Sequence, residues 1–173
     1  MWNFLSKKTL PNNDRPNIEM LRGSCIECPS CGAVASIINL NPLTIIKCAD
    51  CGEGIFVPYC VKNFWLYRPL GGGGMGSVYK AFCERNPDQD YAVKILPRQK
   101  KTDQLLIDAL TREASVGKSF GRHPHLVSVV DYGRDGDEYF NAMEFCKGER
   151  LEQLIEDPDL IPQKFVLLWA LQI

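Results

Sequence analysis

Two matched cysteine pairs are the first residues in the chain whose types and spacing suggest chemistry. Cys28-Pro-Ser-Cys31 and Cys48-Ala-Asp-Cys51 are each followed by a glycine, and sixteen residues separate the two pairs. Two residues between cysteines allow one tight turn to direct both sulfur atoms at one ion, and two such pairs supply the four thiolates of a structural zinc site. The spacing therefore predicts that Cys28, Cys31, Cys48 and Cys51 bind Zn²⁺.

This cysteine pattern resembles a zinc ribbon, and some alternatives remain open. Redox Cys-x-x-Cys motifs do not occur as two matched copies with following glycines, and iron in a rubredoxin-like site is a minor rival. Cys25 and Cys60 lie nearby in the sequence, and Cys25 could replace one of the four ligands. Four thiolates close the coordination sphere, which favours a structural or protein-docking role over catalysis at the metal. One lysine against three acidic residues in 25–60 disfavours nucleic-acid binding.

A second candidate site lies in residues 69–81, PLGGGGMGSVYKA. A glycine-rich linker would be flanked by polar, unstructured sequence, but strand-like residues precede and follow this stretch. Its glycines fall in the register Gly71-x-Gly73-x-x-Gly76, which occurs in loops that cover phosphate groups. Dinucleotide-binding folds place a helix after such a loop, whereas the residues SVYKAF after Gly76 favour a strand. Strand, glycine turn and strand is the arrangement found in protein kinases.

Four further motifs follow in the order that this family shows. They are YAVK at 91–94, TREA at 111–114, HPHLV at 123–127 and AMEFCKGERL at 142–151. Together with the glycine loop, they make residues 63–173 resemble the bacterial eukaryotic-like (Hanks-type) serine/threonine protein kinases. The resemblance implies two catalytic residues: Lys94, which holds the α- and β-phosphates of ATP, and Glu113, which pairs with Lys94.

The same resemblance implies an ATP site built from the glycine loop, the following strand and the hinge. Met143 takes the gatekeeper position, Glu144 and Cys146 supply backbone hydrogen bonds to adenine, and the small side chain of Ala92 leaves room for the ring. The implied cofactor-binding residues are Leu70, Gly71, Gly72, Gly73, Gly74, Met75, Gly76, Ser77, Val78, Ala92, Lys94, Met143, Glu144 and Cys146.

The catalytic and magnesium-binding motifs of the family, His-Arg-Asp-x-x-x-x-Asn and Asp-Phe-Gly, do not occur in the sequence. Phosphoryl transfer needs these groups, so we expect the chain to be inactive alone and to be a fragment or truncated product of a longer kinase. In an intact parent, the resemblance implies Mg²⁺ as a further cofactor and phosphate transfer to Ser or Thr of protein substrates. The alternative is a non-catalytic regulatory or scaffold module that docks a protein partner through the ribbon and the apolar C-terminal helix.

These motifs require an α+β fold to position them. We expect a flexible leader at 1–24, a small zinc-ribbon-like domain at 25–60, and a protein kinase domain at 63–173, truncated before the catalytic loop. The kinase part would comprise the N-terminal lobe, with an antiparallel sheet and one helix, and the start of the C-terminal lobe. Asn41-Pro42 marks a turn between the first two predicted strands. Strands are predicted at 33–40, 43–47, 54–59, 63–70, 77–84, 90–97, 125–133 and 138–146, and helices at 105–120, at 151–157 and from Pro162 onward.

Composition narrows the class of protein further. Hydrophobic residues make up 45% and charged residues 24%, which suits a folded rather than a disordered chain. The net charge of −1 provides no general attraction to nucleic acid or to anionic membranes. No segment resembles a signal peptide or a membrane span. Clustered cysteines without an export signal predict a reducing, cytoplasmic location.

Overall fold

The computed structural model describes residues 15–73, 76–148, 150–151 and 163–171. The chain divides into two compact units; the first ends at Val93 and the second begins at Lys94. The elements, in chain order, are α1 (Ile18–Arg22), β1 (Cys25–Glu27), β2 (Val34–Ser36), β3 (Ile45–Lys47), β4 (Gly54–Phe56), β5 (Tyr59–Val61), β6 (Phe64–Gly73), β7 (Gly76–Cys83), β8 (Asn86–Ile95), α2 (Gln104–Ser119), β9 (Val129–Asp135), β10 (Glu138–Glu144) and α3 (Gln163–Ala170).

Two short hairpins carry the cysteine pairs. β1 pairs with β2 and β3 pairs with β4, both antiparallel. The sequence pattern predicted a turn at Asn41-Pro42 between strands 33–40 and 43–47; a turn lies at 42–43, and β2 and β3 on either side of it belong to different sheets. The reason is local, because each Cys-x-x-Cys turn that directs two sulfur atoms to one point also reverses the chain.

The larger sheet has six strands in the order β5-β6-β7-β8-β10-β9. In the first unit, β5 pairs with β6 and β6 with β7, both antiparallel. The core of this unit includes Val61, Leu66, Ala81 and Val93, each with 0% of its surface exposed. Alternating β-branched and aromatic residues explain why these segments form strands, and the strands predicted on both sides of the glycine loop are confirmed.

Helix α1 lies in the segment that the sequence assigned to a flexible leader. Asn17 caps it by accepting a hydrogen bond at 2.8 Å from a first-turn N–H. Leu21 is 2% exposed and packs against Tyr67 and Phe82 of the first unit. Full burial of a leucine side chain contributes roughly 1.5–3 kcal/mol, so this part of the leader is anchored to the sheet.

The second unit is built on α2 and the β9–β10 hairpin. Helix α2 confirms the helix predicted over 105–120, and its Ile107 and Leu110 are buried with Leu96. β9 begins at Val129, four residues later than predicted, because His123 forms a turn with the residues after it. Its Nδ1 accepts the His125 N–H at 3.2 Å.

Helix α3 confirms a helix after Pro162; three of its apolar side chains, Val166, Leu167 and Leu168, are well exposed, and so is Leu171, which follows it. The helix predicted at 151–157 lies outside the described residues, apart from Leu151. None of the helices in the described ranges combines the length and apolar character that a membrane span requires.

Candidate functional site

The two hairpins bring the four predicted cysteine side chains together. The Sγ atoms of Cys28 and Cys51 lie 3.7 Å apart, and those of Cys31 and Cys48 lie 3.6 Å apart. All four sulfur atoms lie within 4.8 Å of one another. Four thiolates, each about 2.3 Å from a tetrahedral Zn²⁺, would be separated by about 3.8 Å. The observed spacing therefore suits a single ion.

Both turns use the same backbone pattern. The N–H of Gly32 donates to the Cys28 carbonyl at 2.9 Å, and the N–H of Gly52 donates to the Cys48 carbonyl at 3.0 Å. Gly32 and Gly52 have φ values of +78° and +74°. Glycine adopts this left-handed conformation without the steric cost that a Cβ atom imposes, which explains the glycine after each cysteine pair.

The thiols in the cluster have unequal pKa values. The backbone N–H groups of Cys51 and Asp50 lower the pKa of Cys48 to about 7. A hydrogen bond from the Ala33 backbone acts to lower the pKa of the Cys31 thiol. The neighbouring thiols, of which Cys51 has the largest effect, and burial outweigh it and raise that pKa to about 12. Four adjacent sulfurs resist losing all their protons because like charges repel. A divalent cation removes this obstacle, since its binding displaces thiol protons.

The glycine-rich stretch forms the far end of the β6–β7 hairpin. Gly73 lies opposite Gly76, so the two strands predicted on either side of the glycine register pair with each other. The φ of Gly76 is +148°, a conformation that favours glycine. Gly74 and Met75, which also belong to the predicted site, lie outside the described residues.

The other predicted loop residues lie in the same two strands. Gly71 lies opposite Val78 and Gly72 lies opposite Ser77. The register shifts at Leu70, where β6 has an extra residue relative to β7. Such bulges bend a strand and redirect its side chains, and they are common beside functional sites.

The second unit contains the predicted ion pair. Lys94 on β8 and Glu113 on α2 are 19 residues apart in the sequence, and Lys94 Nζ lies 2.6 Å from Glu113 Oε2. The Lys94 side chain is 16% exposed and that of Glu113 is 46% exposed. Half-exposed ion pairs contribute little to stability, so the pair matters mainly because it holds the ammonium group in position. Ala92, also on β8, is half-buried in the first unit.

Three contacts that the sequence pattern did not single out hold α2, or the segment that leads into it, against the β9–β10 hairpin. Lys101 forms an ion pair with Glu138, which is 4% exposed. Lys118 Nζ donates to the Val130 carbonyl at 2.7 Å. A Cβ atom on Gly117 would lie 2.6 Å from a methyl group of the neighbouring β9 valine, so glycine permits this close approach. Only the folded arrangement reveals these partners, because none is close to its counterpart in sequence.

The predicted hinge residues follow β10. Met143 pairs with Val129 across the hairpin. The Glu144 N–H donates to the Ser128 carbonyl at 3.0 Å, and its carboxylate accepts the Ser128 N–H, also at 3.0 Å. These bonds fix the start of the hinge. Cys146 is exposed.

An open groove of about 750 Å³ runs along α2 within the second unit. Leu105, Val116, Phe120 and Leu126 line it with exposed apolar surface. Of the predicted site residues that the structure describes, Glu113 alone lines this groove. The groove therefore shares only Glu113 with the described residues of the predicted site.

Residues 64–173 match the family model for the protein kinase domain. The chain belongs to the protein kinase family. The match covers more than half of the chain and begins at the first residue of β6. It includes the glycine hairpin, the Lys94–Glu113 ion pair and the hinge, and it leaves the four-cysteine cluster outside.

Curated relatives of this kinase-family chain are serine/threonine protein kinases. Human serine/threonine-protein kinase ULK3 is 29% identical over 116 residues, which are 67% of this chain and 24% of that protein. Serine/threonine-protein kinase PrkC of Bacillus subtilis is 36% identical over 93 residues, which are 54% of this chain and 14% of that protein. The chain thus spans about a quarter or less of these two relatives.

Solved structures show the same fold. The crystal structure of the Mycobacterium tuberculosis PknI kinase domain is 26% identical, with a TM-score of 0.51, over 64% of this chain and 44% of that one. The chain therefore has a protein-kinase-like fold with an antiparallel sheet, as its motifs predicted.

Proposed function

We propose that residues 64–173 are the ATP-binding portion of a serine/threonine protein kinase. The Lys94–Glu113 ion pair, 2.6 Å between Nζ and Oε2, carries the proposal. A lysine held by a helical glutamate is the arrangement by which kinases place an ammonium group on the α- and β-phosphates. The glycine hairpin supports the same role, because backbone N–H groups without neighbouring Cβ atoms can close over phosphate oxygens. At the hinge, Glu144 and Cys146 would bind adenine through their backbone groups.

Phosphoryl transfer from ATP to protein Ser or Thr is the reaction that this family implies, with Mg²⁺ as the second cofactor. The chain's own contribution would be to bind and orient the nucleotide. The aspartate that accepts the substrate proton and the groups that hold Mg²⁺ belong to motifs that do not occur in this sequence. We therefore propose that this chain binds nucleotide and does not transfer phosphate by itself.

A calorimetric titration with Mg-ATP tests nucleotide binding. The parent chain should bind, Lys94→Met should bind at least about tenfold more weakly because a charge-assisted phosphate contact is lost, and Glu113→Gln should show a smaller loss. Lys100→Met, which removes an exposed lysine of the same unit, is the matched control and should bind as the parent does. Equal affinity of Lys94→Met and the parent would overturn the proposal. Transfer of labelled phosphate that Lys94→Met abolishes would contradict the proposed inactivity.

We also propose that Cys28, Cys31, Cys48 and Cys51 bind one structural Zn²⁺. Sulfur separations of 3.6 and 3.7 Å support this, because they match the edges of a tetrahedral thiolate site. Iron remains the rival metal. The thiolate chemistry of these cysteines also suits the reducing cytoplasm that the sequence predicted.

Metal analysis of the purified chain tests the zinc proposal. One zinc per chain is expected, Cys31→Ser should reduce that content, and Cys83→Ser, outside the cluster, should leave it unchanged. Detection of iron in place of zinc would show that the bound metal is iron. A chain that folds fully without any metal would show that the metal has no structural role.

The scaffold alternative, in which the ribbon and the terminal helix dock a protein, is less well supported. The exposed apolar residues of α3 fit such docking. Nucleotide binding accounts for the Lys94–Glu113 ion pair, however, and protein docking through the ribbon and the helix does not. Absence of any thermal shift with millimolar Mg-ATP would favour the scaffold.

A further inference from the structure

The cysteine-bearing segment, residues 25–57 and here called the cysteine module, continues directly into the sheet that carries the glycine hairpin. β5 follows the module and pairs with β6, with Tyr59 opposite Leu66 and Val61 opposite Phe64. The family match begins only at residue 64. β5, one of the two strands that pair with β6, therefore lies outside the matched kinase domain.

An aromatic contact links the module to the hairpin within the first unit. The rings of Phe56 and Tyr79 have their centroids 6.1 Å apart and are inclined by 34°. Phe56 ends β4, the second strand of a cysteine hairpin, and Tyr79 is 9% exposed on β7. Tyr79 directly follows Val78, which is paired with Gly71 of the glycine loop.

A second contact between the module and the hairpin is aliphatic and is made by Ile37. Ile37 packs against the module's own core around Ile26 and Ile55. It also packs against the cluster that Leu21 of α1 forms with Tyr67 of β6 and Phe82 of β7. One side chain is thus shared by the core of the module and the core of the hairpin.

The module has little core of its own without a metal. Its buried residues are Ile26, Cys28, Cys48, Ile55 and Val57, and two of these five are metal-binding candidates. Small domains of this size depend on a metal for their folding energy. Loss of the ion should therefore release Phe56 and Ile37 from the hairpin.

We propose that the cysteine module positions the glycine hairpin β6–β7, with Phe56 as the positioning residue against Tyr79. This inference rests on the zinc and nucleotide sites proposed above. The metal closes the module, the module holds Phe56 and Ile37 in place, and these two side chains hold the strands that carry the glycine loop. Nucleotide affinity then depends on a metal site that does not touch the nucleotide.

Amide hydrogen exchange of the full, metal-loaded chain tests this positioning without relying on nucleotide. Phe56→Leu should accelerate exchange in β6 and β7 by about three- to tenfold, the change that corresponds to losing one aromatic pair. Phe56→Tyr, which keeps the ring, should exchange as the parent does. Val34→Ala is the matched control, because it shortens a side chain of the same module that is 64% exposed. Chelation of the metal should accelerate β6 and β7 at least as much as Phe56→Leu.

Unchanged exchange in β6 and β7 after both Phe56→Leu and metal removal would overturn the proposal. Equal acceleration in α2 for Phe56→Leu would also overturn it, because the effect would then be general destabilisation. Mg-ATP affinity is measured on the same proteins, and it should fall about three- to tenfold in Phe56→Leu. Failure of every protein to bind Mg-ATP, with the exchange pattern as expected, would refute the nucleotide site and leave the positioning role standing.

Discussion

Replacing Asn141 with leucine should stabilise this protein. Asn141 lies on β10 opposite Tyr132 and is 0% exposed. Neither its Nδ2 nor its Oδ1 has a hydrogen-bond partner among the described residues. An unsatisfied buried polar group costs about 1–3 kcal/mol, whereas leucine fills a similar volume without polar atoms. Imperfect packing of the new side chain should offset up to about 1.5 kcal/mol.

The net gain should be about 1–2 kcal/mol in the free energy of unfolding, which corresponds to about 2–8 °C in Tm for a chain of this length. Thermal and urea denaturation of the metal-loaded chain measure it, and the urea m-value should not change. Asn141→Ala serves as one control, because it removes the polar group but leaves a cavity and should be less stable than Asn141→Leu. Asn141→Asp places a charge at the same position and should be less stable than the parent.

A lower Tm for Asn141→Leu, with unchanged circular dichroism, would refute this reasoning. That result would mean that the Asn141 amide is satisfied in solution, for example by a buried water that leucine displaces. Equal stabilities of Asn141→Leu and Asn141→Ala would show that packing around this position is loose and that only polarity matters.

Three further substitutions test the first unit and the position of α2. Leu21→Ala should cost about 2–5 kcal/mol of unfolding free energy in urea denaturation, because Leu21 is 2% exposed; a loss below about 1 kcal/mol would mean that α1 does not dock on the sheet. Asp90→Asn should lower Tm at pH 7, where Lys80 Nζ lies 2.9 Å from the carboxylate. Burial acts to raise the pKa of Asp90, but hydrogen bonds to its carboxylate, of which that from Lys80 has the largest effect, lower the pKa by more. The pKa of Asp90 is therefore lower in the folded than in the unfolded state. The stabilisation is therefore present at neutral pH and lost below about pH 4, and the Tm difference from the parent should narrow towards pH 3; a constant difference would contradict this. Gly117→Ala should lower Tm although alanine favours helices by about 1 kcal/mol, because the new Cβ would lie 2.6 Å from Val129 Cγ2; a more stable variant would show that α2 can shift without cost.

Local sequence patterns predicted much of the fold and the candidate residues. Helical spacing of apolar residues predicted α2 to within one residue at each end, because a helix is held by contacts within a few residues. The glycine register between two strand-like segments predicted the β6–β7 hairpin for the same reason. Cysteine spacing predicted which four sulfurs meet, since each pair is aimed by its own turn. The pairing of β1 with β2 and of β3 with β4 was missed because propensity alone does not choose partners.

The sequence by itself determined the family, the residue types of the candidate sites and most element positions, because these depend on neighbours along the chain. The tertiary structure decided the geometry of the contacts that a motif predicts and the identity of those that no motif specifies. It placed Lys94 Nζ 2.6 Å from Glu113 Oε2, anchored Leu21 of the supposed leader in the first unit, buried Asn141, and set Phe56 against Tyr79. Such contacts depend on how whole elements share one core, and the free energy of that burial belongs to the assembled fold rather than to any single segment.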